Sequence, residues 1–195
     1  DFAARFPDGP DRQLVCAPIR SPSGERYIGA MNAAANFAWA NRHLLMVRTA
    51  ESLARVLGTA PSRIGLRLVY DVSHNLAKTE THRIAGVRRR VCVHRKGATR
   101  ALPPGDDRVP AKYRGVGQPV LVPGDMGTAS HVCVGTEFEG EHPFHSSCHG
   151  AGRRLSRRSA TRRGAGRSIV DELKRNGVVV MAKDRRTLAE EMPEA

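Results

Sequence analysis

Between Ile28 and Leu57 the chain is alanine-rich and almost free of helix breakers, and its apolar residues recur at helical spacing. Ala34, Phe37, Ala38, Leu45, Val56 and Leu57 can line one helical face, and Gly58 is a natural stop. The pattern leaves open whether this stretch is one long helix or two. IGLRLVYD, from Ile64 to Asp71, then predicts a buried strand that runs into the polar turn VSHN. RVCVH (Arg90 to His94), QPVLV (Gln118 to Val122) and SHVCVG (Ser130 to Gly135) predict further strands. Pro103, Pro104, Gly105, Pro110 and Gly115 mark a long loop among them. A basic helix is predicted after His149, then a helix from Ser168 to Asn176 ended by Gly177, then a late strand, VVVMA, from Val178 to Ala182. Strands and helices without regular βαβ alternation predict the α+β class.

Composition narrows this picture. A chain of 195 residues with 40% hydrophobic and 26% charged residues can bury a core and is not of disordered type. Thirty-two Lys and Arg against 19 acids give a net charge of +13, and the pI is near 10.7. That balance attracts polyanions. Aromatic residues are only 5%, so a stacking platform for single-stranded bases is not evident. No apolar run is long enough to span a bilayer, and no membrane partner is expected. Cys16, Cys92, Cys133 and Cys148 show no CxxC spacing, which points to a reducing, cytoplasmic setting rather than a disulfide framework. The chain opens on Asp1 without a methionine and closes abruptly at EEMPEA, so it is expected to be a piece of a longer protein.

Four segments could carry chemistry. In YDVSHNLAKTE, Asp71, His74 and Asn75 follow a strand end, where imidazole is a common metal ligand; the alternative is a turn in which Asp71 and Asn75 bond local backbone. In VHRKGATRALPPG, His94, Arg95, Lys96 and Arg100 surround Gly97, which suits a phosphate site or a solvated basic loop. In VPGDMGTASHV, two glycines around Asp125 permit a tight turn whose backbone could read a base or ribose, or an ordinary hairpin turn. The fourth segment gathers His142, His145, Cys148 and His149, zinc's preferred donor types, although no second ligand pair stands at the usual spacing. Its other reading is that Gly150, Ala151 and Gly152 open a helix whose N–H groups and dipole favour a phosphate beside His149. That field would keep the imidazole neutral, as a nucleophile must be. Arg153 and Arg157, and Arg154, Arg158 and Arg162, then fall at i, i+4 spacing as a phosphate track or a solvated face.

Taken in order, ANFAWANR (Ala35 to Arg42), YDVSHNLAK, VHRKGATRA, PGDMGTASHV, SCHGAGRRLSR and the tail GVVV…LAEEMPEA resemble the RtcB family of GTP-dependent RNA ligases over nearly the whole chain. The resemblance implies an RtcB-like α+β fold, of which residues 1–195 would be the later part of a single ligase domain. It implies that His149 becomes guanylated and that His74 ligates one of two manganese ions. It implies nucleotide contacts from Asn75, Pro123, Gly124, Asp125 and Met126, and guanylate contacts from Ser130, Gly150, Ala151 and Gly152. Asp125 stands where many members carry serine, and His131 where tyrosine is expected. His142 and His145 match no family role. The family's Asp/Cys metal motif, its GNH segment and a further metal-binding histidine would lie before Asp1, and a guanine-contacting lysine beyond Ala195.

The implied chemistry has three steps. Neutral His149 attacks the α-phosphorus of GTP and expels pyrophosphate. The GMP passes to an RNA 3′-phosphate opened from a 2′,3′-cyclic phosphate, and a 5′-hydroxyl then attacks and expels GMP. The implied partners are tRNA halves or broken RNA ends, GTP and two Mn²⁺ ions; whether an activating protein is needed stays open. A rival from another class is a non-catalytic RNA-binding protein with a zinc-stabilised His/Cys turn.

Overall fold

The computed structural model describes residues 16–137, 144–181 and 185–195. They form two compact units, Asp1–His94 and Arg95–Ala195, each described by itself. Their mixture of helices and short antiparallel strands is of the α+β kind.

The first unit is built on one helix, α1 (Pro22–Leu57, 36 residues), which resolves the open question of one helix or two. Its start is specified chemically: the Ser21 hydroxyl accepts from Gly24 N–H at 3.1 Å, Pro22 sits at the first turn, and Glu25 complements the dipole. Its end is the predicted glycine. Gly58 takes φ 62°, and Thr59 N–H reaches the Ala54 carbonyl at 2.9 Å. The covered face differs from the expected one. Ile28, Met31, Ala35, Ala38, Met46, Ala50 and Ala54 form the stripe shielded from solvent, whereas Ala34, Phe37, Leu45, Val56 and Leu57 are exposed, Phe37 to 76%. The helix carries two apolar stripes, and periodicity alone cannot say which one a neighbour covers. The small-residue stripe lets backbone approach closely, and Ala77 N–H donates to Met31 Sδ at 3.1 Å.

The expected strand from Ile64 to Asp71 is not one. This stretch joins no ladder, and Leu66, Leu68 and Val69 are exposed. An apolar run favours extended backbone but becomes a strand only where a second strand pairs with it as a ladder, and among the described residues no strand pairs with this stretch. The sheet begins instead in the expected turn. β1 (Asn75–Ile84) and β2 (Val87–Lys96) form a hairpin closed by Ala85 (φ 47°) and Gly86 (φ 78°), the doubly left-handed turn that matches strand twist. The predicted strand Arg90 to His94 lies inside β2.

In the second unit β3 (Ala98–Arg100) pairs antiparallel with β6 (Ser146–Cys148), placing Ala98 opposite Cys148. β4 (Pro119–Val122) pairs with β5 (His131–Val134), close to the bounds predicted. Buried Gln118 ties β3 to β4: its amide donates to the Arg100 carbonyl at 2.6 Å and accepts from Arg100 Nε at 3.3 Å. Leu102, Val109 and Val120 are buried in the same unit. α2 (Arg157–Arg163), α3 (Ile169–Arg175) and α4 (Arg185–Glu190) enclose a cluster that includes Ala160, Ile169, Leu173, Leu188 and Met192.

The helix after His149 starts later than expected. Its N-cap is Ser156, and residues 150–155 are irregular. Gly150 has φ 135°, outside helical backbone, and Ala151 N–H is drawn to the Pro123 carbonyl at 2.9 Å. No helix dipole therefore points at His149 from Gly150. α3 agrees with its prediction, with Ser168 as cap and Gly177 at φ 76° just beyond. Residues 178–181 form no strand; Val178 N–H instead bonds back to the Leu173 carbonyl at 3.0 Å, as part of the helix ending. Ala182 lies outside the described residues.

Candidate active site around His149

Three of the four chemical segments converge within the second unit. β2 ends at Lys96, and Gly97 bends the chain at φ 68° into β3. β6 lies against β3, so the residue that follows it, His149, emerges beside Gly97. A Cβ on Gly97 would stand 3.2 Å from His149 Cδ2 and 3.4 Å from Nε2. Directly after, Gly150 sits under the β4–β5 turn, where a Cβ would meet the Pro123 carbonyl at 2.4 Å. The Ala151–Pro123 hydrogen bond fixes the same approach. Position 150 takes a glycine because the two backbones touch there.

The β4–β5 turn is both the hairpin turn and a self-bonded loop. Ser130 Oγ accepts from Gly124 N–H at 3.2 Å, Thr128 Oγ1 from Asp125 N–H at 3.0 Å, and Asp125 Oδ1 from Gly127 N–H at 2.7 Å. Asp125, the departure from serine, thus supports the turn. Met126 packs against the helical cluster, and a Cβ on Gly127 would meet Pro193 at 2.7 Å. His131 is exposed on β5.

The basic segment around Gly97 is not a solvated loop. Arg95 is buried, donating from Nε to Ser146 Oγ at 2.9 Å and from Nη2 to the Phe144 carbonyl at 2.6 Å. Phe144 and His145 both hold left-handed backbone, φ 52° and 47°, a strained pair for residues with side chains. The Arg95 bond and Ala101 N–H on the His145 carbonyl at 2.7 Å hold them. Charge counting had grouped Arg95 and Arg100 with the phosphate candidates; the structure uses both to brace strands, and Lys96 alone of the run 95–97 is an exposed cation. His94 bonds the Tyr27 hydroxyl at 3.1 Å in the first unit.

Asp106, whose carboxyl is held down to about 2, owes that first to the Arg108 side chain, with burial opposing. Arg167 lies in a fork between Glu172 and Glu194 and lowers both carboxyls. Of the arginines after His149, Arg153 reaches the Glu190 carbonyl at 2.8 Å and the Glu191 carboxylate, and Arg157 stands 3.6 Å from Glu190. Arg158, Arg162 and Arg163 are exposed.

In the first unit His74 is exposed, just before β1, and Asn75 opens that strand. Their approach is braced by Arg42, at the end of ANFAWANR, whose Nε and Nη2 fork onto Asp71 at 2.7 and 3.1 Å and whose Nη2 lies 3.4 Å from Ser73 Oγ. Spacing alone hid this pair, which is separated by 29 residues. Among the described residues no three His, Cys, Asp or Glu side chains gather as a metal-binding group. His145, Cys148 and His149 thus form no zinc cluster, and His142 lies outside the described residues. His74 is a single imidazole donor, so the described residues do not by themselves fit a manganese site. Among them, no helix is long and apolar enough to cross a membrane.

Residues 3–195 match the family described as tRNA-splicing ligase RtcB. The chain is 52% identical over 186 residues to the tRNA-splicing ligase RtcB of Pyrococcus abyssi, covering 95% of this chain and 20% of that protein. It is 50% identical to the namesake of Archaeoglobus fulgidus (95% and 39%) and 53% identical to the RNA-splicing ligase RtcB of Mycobacterium tuberculosis (95% and 41%). The chain spans well under half the length of these relatives. It belongs to the RtcB family.

Proposed function

We propose that the chain carries the guanylate-accepting half of a GTP-dependent RNA ligase, as the later part of a single RtcB-like domain, with His149 as nucleophile. The carrying observation is the meeting of Gly97, the Pro123–Ser130 turn and His149–Gly150 at one point of the second unit. In this reading one ring nitrogen of neutral His149 attacks the α-phosphorus of GTP, a P–N bond forms, and pyrophosphate leaves with the electron pair of the broken P–O bond. The backbone of Gly150, Ala151 and Gly152 and the turn residues Pro123, Gly124, Asp125 and Met126, with Ser130, border the guanylate. The GMP passes to an RNA 3′-phosphate, and a 5′-hydroxyl displaces it, joining tRNA halves or broken RNA ends. The +13 charge suits an RNA partner. His74 is proposed as one manganese ligand and Asn75 as a nucleotide contact. Manganese, when bound, would neutralise phosphate charge. One imidazole does not hold it, because Mn²⁺ lies at the weak end of the divalent series, and no step above is routed through it.

The test is labelling of the complete polypeptide with α-labelled GTP and Mn²⁺. An acid-labile GMP adduct is expected, and its loss in His149→Ala. An adduct that persists in that variant rules His149 out.

A further inference from the structure

We propose that Gly97 is a positioning residue for His149: its missing side chain is the seat of the imidazole. The inference rests on the reading of His149 as nucleophile. The Cβ direction of Gly97 faces the histidine ring. The two ring atoms nearest that direction are Cδ2, at 3.2 Å, and Nε2, at 3.4 Å. A methyl there forces the ring to yield by a few tenths of an ångström along the edge that carries Nε2. The main chain that carries the ring is held on both sides. His149 is half-buried, its chain is pinned in front by β3–β6 pairing and behind by Ala151 on Pro123. β6 is in turn fastened to the end of β2 by Arg95 on Ser146. The Gly97 bend therefore does two things. It turns the chain from β2 into β3, which needs left-handed backbone, and it leaves a flat main-chain surface against which the ring lies.

Strain and contact can be separated, because the unit contains a matched glycine. Gly105 has φ 80° against 68° at Gly97, and a Cβ there meets nothing within 4 Å. In the complete polypeptide, Gly97→Ala and Gly105→Ala impose similar backbone strain, but only the first touches His149. Gly97→Asn tolerates left-handed backbone better than alanine yet still carries a Cβ. Single-turnover guanylation should slow by about three- to tenfold in both Gly97 variants, with apparent GTP affinity held. Gly105→Ala should keep the wild-type rate. The His149 imidazole resonance, followed by NMR without GTP, should move in both Gly97 variants and not in Gly105→Ala. Equal rates in Gly97→Ala and Gly105→Ala, full activity of Gly97→Asn, or a fall in GTP affinity matching the fall in rate would overturn the positioning role. A GMP adduct that survives His149→Ala removes the nucleophile reading instead, while the NMR arm still reads the contact.

Discussion

Asp106 and Arg108 show how much one residue pair can do within a loop. The Arg108 guanidinium holds the Asp106 carboxyl at about 2 rather than its ordinary 3.8, and Asp106 also accepts the Arg108 N–H at 2.9 Å. A carboxyl depressed in the folded state adds stability above its unfolded pKa and loses it as pH falls through the folded value. The chain should therefore lose part of its stability between pH 3.8 and about 2. Asp106→Asn should flatten the slope of melting temperature against pH across that window, as read by circular dichroism. A slope unchanged in the variant would remove Asp106 as its source. At this scale the sequence was legible where chemistry is local. The hydroxyl and carboxylate bonds of the Pro123–Ser130 turn follow from its Ser, Thr and Asp content. The Arg42–Asp71 fork and the burial of Arg95 were not legible, because a charge far along the chain does not announce its partner.

Elements were read better by their ends than by their faces. Gly58, Ser168 and Gly177 marked real boundaries because caps act over a few residues. Which stripe of α1 is covered, and whether residues 64–71 form a strand, depend on neighbours that no local pattern contains. Gly150 was misread as a helix start because glycines and a following basic run fit a helix N-terminus as well as a close backbone crossing. The helical cluster of the second unit offers a check on element packing. Met192 is 1% exposed and touches that cluster from beyond α4. Met192→Ala should cost about 2–5 kcal/mol in urea unfolding. A loss below about 1 kcal/mol, the range of surface substitutions, would show that the C-terminal residues do not close this core.

For the whole molecule, exposed apolar surface and positive charge act against each other. Phe37, Trp39, Val56 and Leu57 on α1, with Leu66, Leu68 and Val69, are exposed in a chain carrying +13. A polypeptide of these 195 residues should bind single-stranded RNA without sequence preference and lose affinity steeply between 50 and 200 mM salt. It should also associate as charge is screened, since repulsion then no longer opposes apolar contact. Its ligase activity should be absent, because among the described residues no three metal-ligating side chains gather and Mn²⁺ needs several. Filter binding and light scattering across a salt series check the first two expectations. Joined product from 2′,3′-cyclic-phosphate and 5′-hydroxyl RNA ends would refute the third.

The turn between β4 and β5 has a consequence for time rather than shape. It is largely open to solvent, yet the Gly124, Asp125 and Gly127 amides are each bonded to a side chain of the same loop. Their hydrogens should exchange with deuterium more slowly than those of equally open loops, because exchange requires the loop to open first. A guest settling on this surface meets backbone already ordered before it arrives, so little conformational freedom remains to be lost on contact.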